Sequence, residues 1–132
     1  VSPATGWTND PRLITKCWSW DVKLNGSSLR PQFSAAGKYA QIDYIATPDR
    51  WQHLAFTFSS GTIKGYVNGK PAKLLLDTFT GTETLPAQNA GPYVGTDAGK
   101  AFFTKGLLSD VRVYDRALND SAIAAVYSQS VH

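Results

Sequence analysis

Apolar and polar residues alternate along most of this chain with a period of two. Residues 17–24 set the pattern: Trp18, Trp20, Val22 and Leu24 fall on one side, and Cys17, Ser19, Asp21 and Lys23 on the other. That period belongs to a half-buried β-strand. Residues 12–16 make a short apolar strand before it. Asn25-Gly26 predicts a hairpin turn, after which the chain returns over 29–34. Residues 39–45 alternate again, with Tyr39, Gln41, Asp43 and Ile45 opposed to Ala40, Ile42 and Tyr44. Pro48-Asp49 breaks the pattern. Residues 51–58 and 63–67 then form a central hairpin. Trp51 is expected there as a buried plug, with the half-buried, structural His53 on the same side.

Asn68-Gly69 predicts a second turn, leading into a strand over 73–76. Residues 77–91 are rich in Thr, Gly, Pro and Asn and predict a long loop. A brief strand follows over 92–95 and a strong one over 107–114, where Val111 and Val113 point one way and Arg112 and Tyr114 the other. The expected buried set includes Leu54, Phe56, Phe58, Ile63, Val67, Leu107, Val111 and Val113. The apolar spacing changes to that of a helix only over 119–128, with Asn119 as N-cap and Ile123, Val126 and Tyr127 on the apolar side. Ala122 stands where a glutamate would complete a capping box. Residues 1–11 predict an irregular lead-in. Short alternating strands separated by turn residues predict an all-β antiparallel β-sandwich with one short C-terminal helix.

Composition narrows the function classes. A chain of 132 residues predicts a single domain spanning 1–132, and 42% apolar with 17% charged residues describes a folded one. No apolar run is long enough to cross a bilayer, so no membrane insertion is expected. The net charge of +3 comes from scattered basic residues with no cluster, which argues against nucleic acid. Cys17 is the single cysteine and can form no intrachain disulfide. Asn25-Gly-Ser27 and Asn119-Asp-Ser121 fit the glycosylation pattern but recur by chance. With no methionine in the chain, Val1 is not expected to be a translation start: the chain is expected to be processed, excised from something larger, or given without its first residues.

Four segments in order, Trp51-x-His53-Leu-Ala55, Tyr66-Val-Asn68-Gly69, Tyr93-Val-Gly95 and the run from Gly106 to Leu118, resemble the laminin-G-like branch of the concanavalin-A-like jelly-roll domains. The resemblance spans roughly residues 12–128 and implies a jelly-roll sandwich that lacks the family's first strands. It further implies a non-catalytic binding module, with a carbohydrate or cell-surface ligand, in a secreted or cell-surface protein. Two alternatives stand beside it. One is a structural or assembly subunit of a capsid, fibre or filament, and the other an accessory domain excised from a glycan-active enzyme. Missing front strands would leave ladder edges open, so a protein partner or a second copy is expected on the N-terminal side.

Catalysis is not expected. Relatives that hydrolyse glycans use paired carboxylates, one of them usually a glutamate, across the scissile bond. Glu83 is the chain's one glutamate and no Glu-x-Asp spacing occurs. Sugar binding instead needs aromatic rings for pyranose faces and polar groups for hydroxyls. Tyr39, Gln41 and Asp43 on one strand face, with Tyr93, form the best such set. Trp7, Tyr44, Arg30 and Asn89 are further candidates, and the rival reading is a merely solvated sheet face. The resemblance also raises calcium as a cofactor, with Asp110 and Asp97 as candidate ligands. Against that stands Asp110 as a simple turn cap.

Overall fold

The computed structural model describes residues 1–3, 11–16, 19–26, 28–86, 92–96 and 106–130. Eleven strands and one helix appear among them: β1 Ser2–Pro3, β2 Arg12–Lys16, β3 Trp20–Leu24, β4 Pro31–Ala35, β5 Lys38–Ile42, β6 Leu54–Ser59, β7 Thr62–Val67, β8 Lys70–Ala72, β9 Leu74–Asp77, β10 Tyr93–Val94, β11 Gly106–Leu107 and α1 Asp120–Gln129. A six-stranded antiparallel sheet runs in the order β10-β2-β3-β4-β5-β9, and a three-stranded sheet in the order β6-β7-β8. A short ladder joins β1 to β11, placing part of the expected irregular lead-in in a strand.

The two sheets bury one apolar face each. Along the six-stranded sheet Trp20 pairs with Ala35, and Val22 with Phe33, which pairs in turn with Ala40. This row packs against Phe56, Phe58 and Ile63 of the smaller sheet. Phe33 is its centre, with ring centroids 6.5 Å from Trp20, 6.0 Å from Phe56, 5.8 Å from Phe58 and 6.1 Å from Phe79. A second cluster of Leu13, Leu24 and Ala46 sits beneath Leu54 and Leu108. Gly65 lets the sheets meet: a Cβ there would lie 2.5 Å from the Ile42 side chain.

Local turn chemistry explains the central hairpins. Asn68 and Gly69 take φ of 49° and 77°, the paired positive values of a type I′ turn. The turn returns first as β8 and only then, past Lys73, crosses to the other sheet as β9, which pairs with β5. The strand expected over 73–76 appears as β9, and β8 before it is an addition to the expectation.

The loop at Asn25-Gly26 is longer than the expected two-residue turn. The Asn25 amide bonds the Arg30 carbonyl at 2.9 Å, and the positive φ falls on Leu29 rather than Gly26. A two-residue turn would bring Leu29 opposite Val22. The longer loop brings Phe33 there without changing which side faces inward, because strand parity survives a shift of an even number of residues. The returning strand therefore starts at Pro31.

Other expectations are corrected. The strand expected over 39–45 spans Lys38–Ile42, and its ladder with β9 carries a register shift between Gln41 and Ile42 before its last pair, Ile42 with Leu74. Trp51 lies before β6, 41% exposed, and is no core plug. Of the strand expected over 107–114 only Gly106–Leu107 forms. Asp110 there takes φ 54°, a left-handed turn that breaks an extended backbone. Leu107, Val111 and Val113 are consequently exposed instead of buried. Residues 17 and 18 lie outside the described residues. The helix follows expectation, with the Asn119 side chain accepting from the Ala122 amide at 2.9 Å and Ile123 buried.

Candidate functional site

The six-stranded sheet turns its other face away from the core. Register places Tyr93 beside Thr15, Thr15 beside Asp21, Asp21 beside Ser34, and Ser34 beside Tyr39. Residues directly opposite in an antiparallel ladder share a face. One row therefore crosses five strands with a tyrosine at each end. At the usual strand spacing the two tyrosines stand about 19 Å apart. A second row carries Lys23, Gln32, Gln41 and Leu76.

The middle of this face is held by its own polar contacts. The Gln41 Nε2 donates to the Gln32 Oε1 at 2.8 Å, and the Gln32 Nε2 donates to the Ser34 Oγ at 3.0 Å. The Arg12 guanidinium lies 3.7 Å from the Asp21 carboxylate. Buried polar groups need such partners, since an unmet one costs about 1–3 kcal/mol. The buried Thr15 hydroxyl finds none among the described residues. It is a spare group in the row between the tyrosines.

The structure thus brings together three of the four residues expected to touch ligand, Tyr39, Gln41 and Tyr93. Tyr39 is 39% exposed, whereas Gln41 is only 7% exposed and is committed to Gln32. Asp43 lies past the end of β5, where the Arg30 Nη1 donates to its Oδ1 at 3.0 Å. Sequence reasoning missed Thr15, Gln32 and Ser34. The signal was present: these polar residues occupy alternate strand positions, opposite in parity to Val22, Phe33 and Ala35.

The proposed metal residues do not assemble among the described residues. Both carboxylate oxygens of Asp110 accept from Arg112, at 2.7 and 3.2 Å. Asp97 lies outside the described residues. Asp110 thus offers a carboxylate already neutralised by a guanidinium, a poor start for a calcium site that needs several free oxygens.

Glu83 is tied into its own loop. Its carboxylate accepts from the Thr80 hydroxyl at 2.7 Å and from the amides of Thr80, Gly81 and Thr82. These donors, the Thr80 hydroxyl first, hold its pKa down at about 2. On the outer face of the small sheet Tyr66 is fully buried, and its hydroxyl donates to the Asp120 Oδ1 at 2.7 Å. Burial, then the bond to Asp120, pushes this phenol up to about 12. His53 is half-buried as expected and meets Tyr127 edge-on, with ring centroids 5.6 Å apart.

Residues 1–124 match the family model of laminin G type described as the concanavalin A-like lectin/glucanases superfamily. The chain belongs to that superfamily. Two antiparallel sheets of six and three strands with a short helix are consistent with the concanavalin A-like sandwich. Among solved structures, the chain resembles an S-layer domain-containing protein (residues 221–444) from Clostridium thermocellum. Identity is 19% and the TM-score 0.50, over 96% of this chain and 66% of that one. At that identity the likeness speaks for the fold alone. No curated protein matches the sequence. Superfamily membership fits a binding or structural module, and the superfamily's name joins lectins with glucanases. Among the described residues, no helix is long and apolar enough to cross a membrane.

Proposed function

We propose that this domain is a non-catalytic carbohydrate-binding module of a secreted or cell-surface protein, with its ligand lying across the outer face of the six-stranded sheet. The observation that carries this reading is the single row from Tyr93 through Thr15, Asp21 and Ser34 to Tyr39. A ring at each end stacks on the apolar face of a sugar, and the half-buried Asp21 and Ser34 between them meet sugar hydroxyls. The length of the row suits a linked chain of sugars better than a single one.

The carboxylates support binding rather than hydrolysis. A glycosidase needs one carboxyl kept protonated beside a second that is ionised. Glu83 is held ionised on a loop, and Asp21 and Asp43 are each paired with an arginine. The reading calls on no metal.

Titration calorimetry against a panel of soluble polysaccharides tests it. One of them is expected to bind, and Tyr39→Ala and Tyr93→Ala are each expected to weaken it roughly tenfold, the worth of one stacked ring. Both variants should melt as the parent does. Retention of full affinity in both would refute the proposed face.

A further inference from the structure

The two ends of the tyrosine row are not alike. Towards Tyr93 the neighbouring row carries Arg12 opposite Lys23, two cations side by side on the outer face. Towards Tyr39 it carries Leu76 opposite Gln41. The middle of that row, Lys23, Gln32 and Gln41, is polar, so the leucine breaks the pattern of the face. Leu76 is 44% exposed and Tyr39 is 39% exposed. A lone exposed leucine is ordinary. One set beside a ring that is itself turned to solvent makes an apolar corner on a polar sheet.

The corner is held in place by backbone bonds. Tyr39 and Leu76 stand on adjacent strands, diagonal to one another across the Gln41–Leu76 pair, and such a diagonal spans roughly 7–8 Å. The Thr78 amide donates to the Tyr39 carbonyl at 2.9 Å, and the Tyr39 amide donates to the Thr78 Oγ1 at 2.9 Å. These bonds continue the pairing of β5 with β9 past Asp77 and fix the backbone under the ring. Gln41 spends its Nε2 on Gln32 at 2.8 Å, which leaves its Oε1 as the acceptor next to Leu76.

We propose that Tyr39, Leu76 and Gln41 form a subsite for a sugar that bears an acetamido group, so that the ligand is a polymer of N-acetylated sugars. The inference rests on the carbohydrate-binding reading above and names the sugar class for it. The sugar ring stacks on Tyr39 and its acetamido arm reaches across the diagonal. The methyl lies on Leu76, and the amide N–H donates to the Gln41 Oε1. In a trans amide the methyl and the N–H point to the same side, so one orientation serves both. A bare hydroxyl would leave Leu76 against water, and a charged group would lose its own water against the leucine.

Titration calorimetry with chitohexaose and cellohexaose tests the subsite. The two share one linkage and differ only at the second carbon of each sugar, acetamido in the first and hydroxyl in the second. The domain is expected to bind chitohexaose roughly tenfold more tightly, the combined worth of one buried methyl and one hydrogen bond. Leu76→Ser should remove most of that preference by weakening chitohexaose, with cellohexaose kept within about twofold. Leu76→Met keeps an apolar contact and should keep the preference. Both variants should melt as the parent does. Equal affinity for the two, tighter binding of cellohexaose, or a preference that survives Leu76→Ser would overturn the acetamido subsite. So would binding of neither while another polysaccharide binds through Tyr39 and Tyr93, a result that leaves the tyrosine row standing. Binding of no carbohydrate at all would refute the reading of the face, and the subsite with it.

Discussion

Two stretches of this chain carry the same alternating code and meet different ends. Residues 54–67 become β6 and β7, fully paired from Leu54↔Val67 to Ser59↔Thr62. Residues 106–114 become a two-residue strand and then a run with no ladder partner among the described residues. The difference lies in where the ladder partner comes from. β6 and β7 are joined by a tight turn, so each strand delivers the other's hydrogen bonds at once. The 106–114 segment has no such neighbour in sequence and must close a long loop to reach one, which costs chain entropy before any contact rewards it. Alternation tells which side of a strand faces in. It does not supply the strand beside it.

The largest test of this contrast attacks the core beneath the hairpin. Phe33→Ala removes the ring on which Trp20, Phe56, Phe58 and Phe79 converge, and is expected to cost about 3–5 kcal/mol in urea unfolding. A loss under about 1 kcal/mol would mean that the sheets do not meet there.

The next test strikes the turn that organises the hairpin side. At Gly69 a Cβ would lie 2.8 Å from the Tyr127 ring while the backbone holds φ 77°. Gly69→Val therefore combines left-handed strain with a clash, and about 3 kcal/mol is expected in the same assay. An unchanged midpoint would show that the helix does not pack on this turn.

A smaller effect is expected from Tyr66→Phe, about 1–2 kcal/mol, because it removes the bond that ties the sheet to α1 at Asp120. The parent's folded phenol has its pKa raised to about 12 from an ordinary value near 10. Its contribution is thus complete below pH 10 and fades as pH rises from 10 through 12. The variant should lack that alkaline loss, as stability measured between pH 9 and 12 would reveal.

The acid side belongs to Glu83. Its folded pKa is lowered to about 2, so its contribution is complete above the ordinary carboxylate range and is lost as pH falls through about 2. Exchange of the Thr80–Thr82 amides should quicken across that window, and Glu83→Gln should flatten the change. The smallest effect is expected at Trp51. Because it is 41% exposed, Trp51→Ala should cost no more than about 1 kcal/mol. A much larger value would place the ring inside and refute its exposure ahead of β6.

Much of the candidate site was visible before the fold. Tyr39 and Gln41 share a face by parity alone, and Tyr93 is a candidate stacking ring by its residue type. That Tyr93 lies in the same row as Tyr39 was not visible. The row depends on β10 pairing with β2, across almost 80 positions of sequence, and no local pattern encodes that choice. Asp43 illustrates the opposite failure. Parity placed it beside Gln41, but the ladder ends at Ile42 and Arg30 takes its carboxylate.

What the sequence determined by itself is local: strand parity, the Asn68-Gly69 turn, the Asn119 cap and the apolar side of the helix. Each depends on interactions within a few residues, where geometry leaves little choice. What only the tertiary structure decided is partnership. It chose the longer loop at Asn25 that sets Phe33 opposite Val22, split the run after Gly69 between two sheets, and left Trp51, Val111 and Val113 in contact with solvent. Those outcomes turn on which distant backbone offers its hydrogen bonds and which space remains to be filled. Side-chain polarity along one strand carries no record of either.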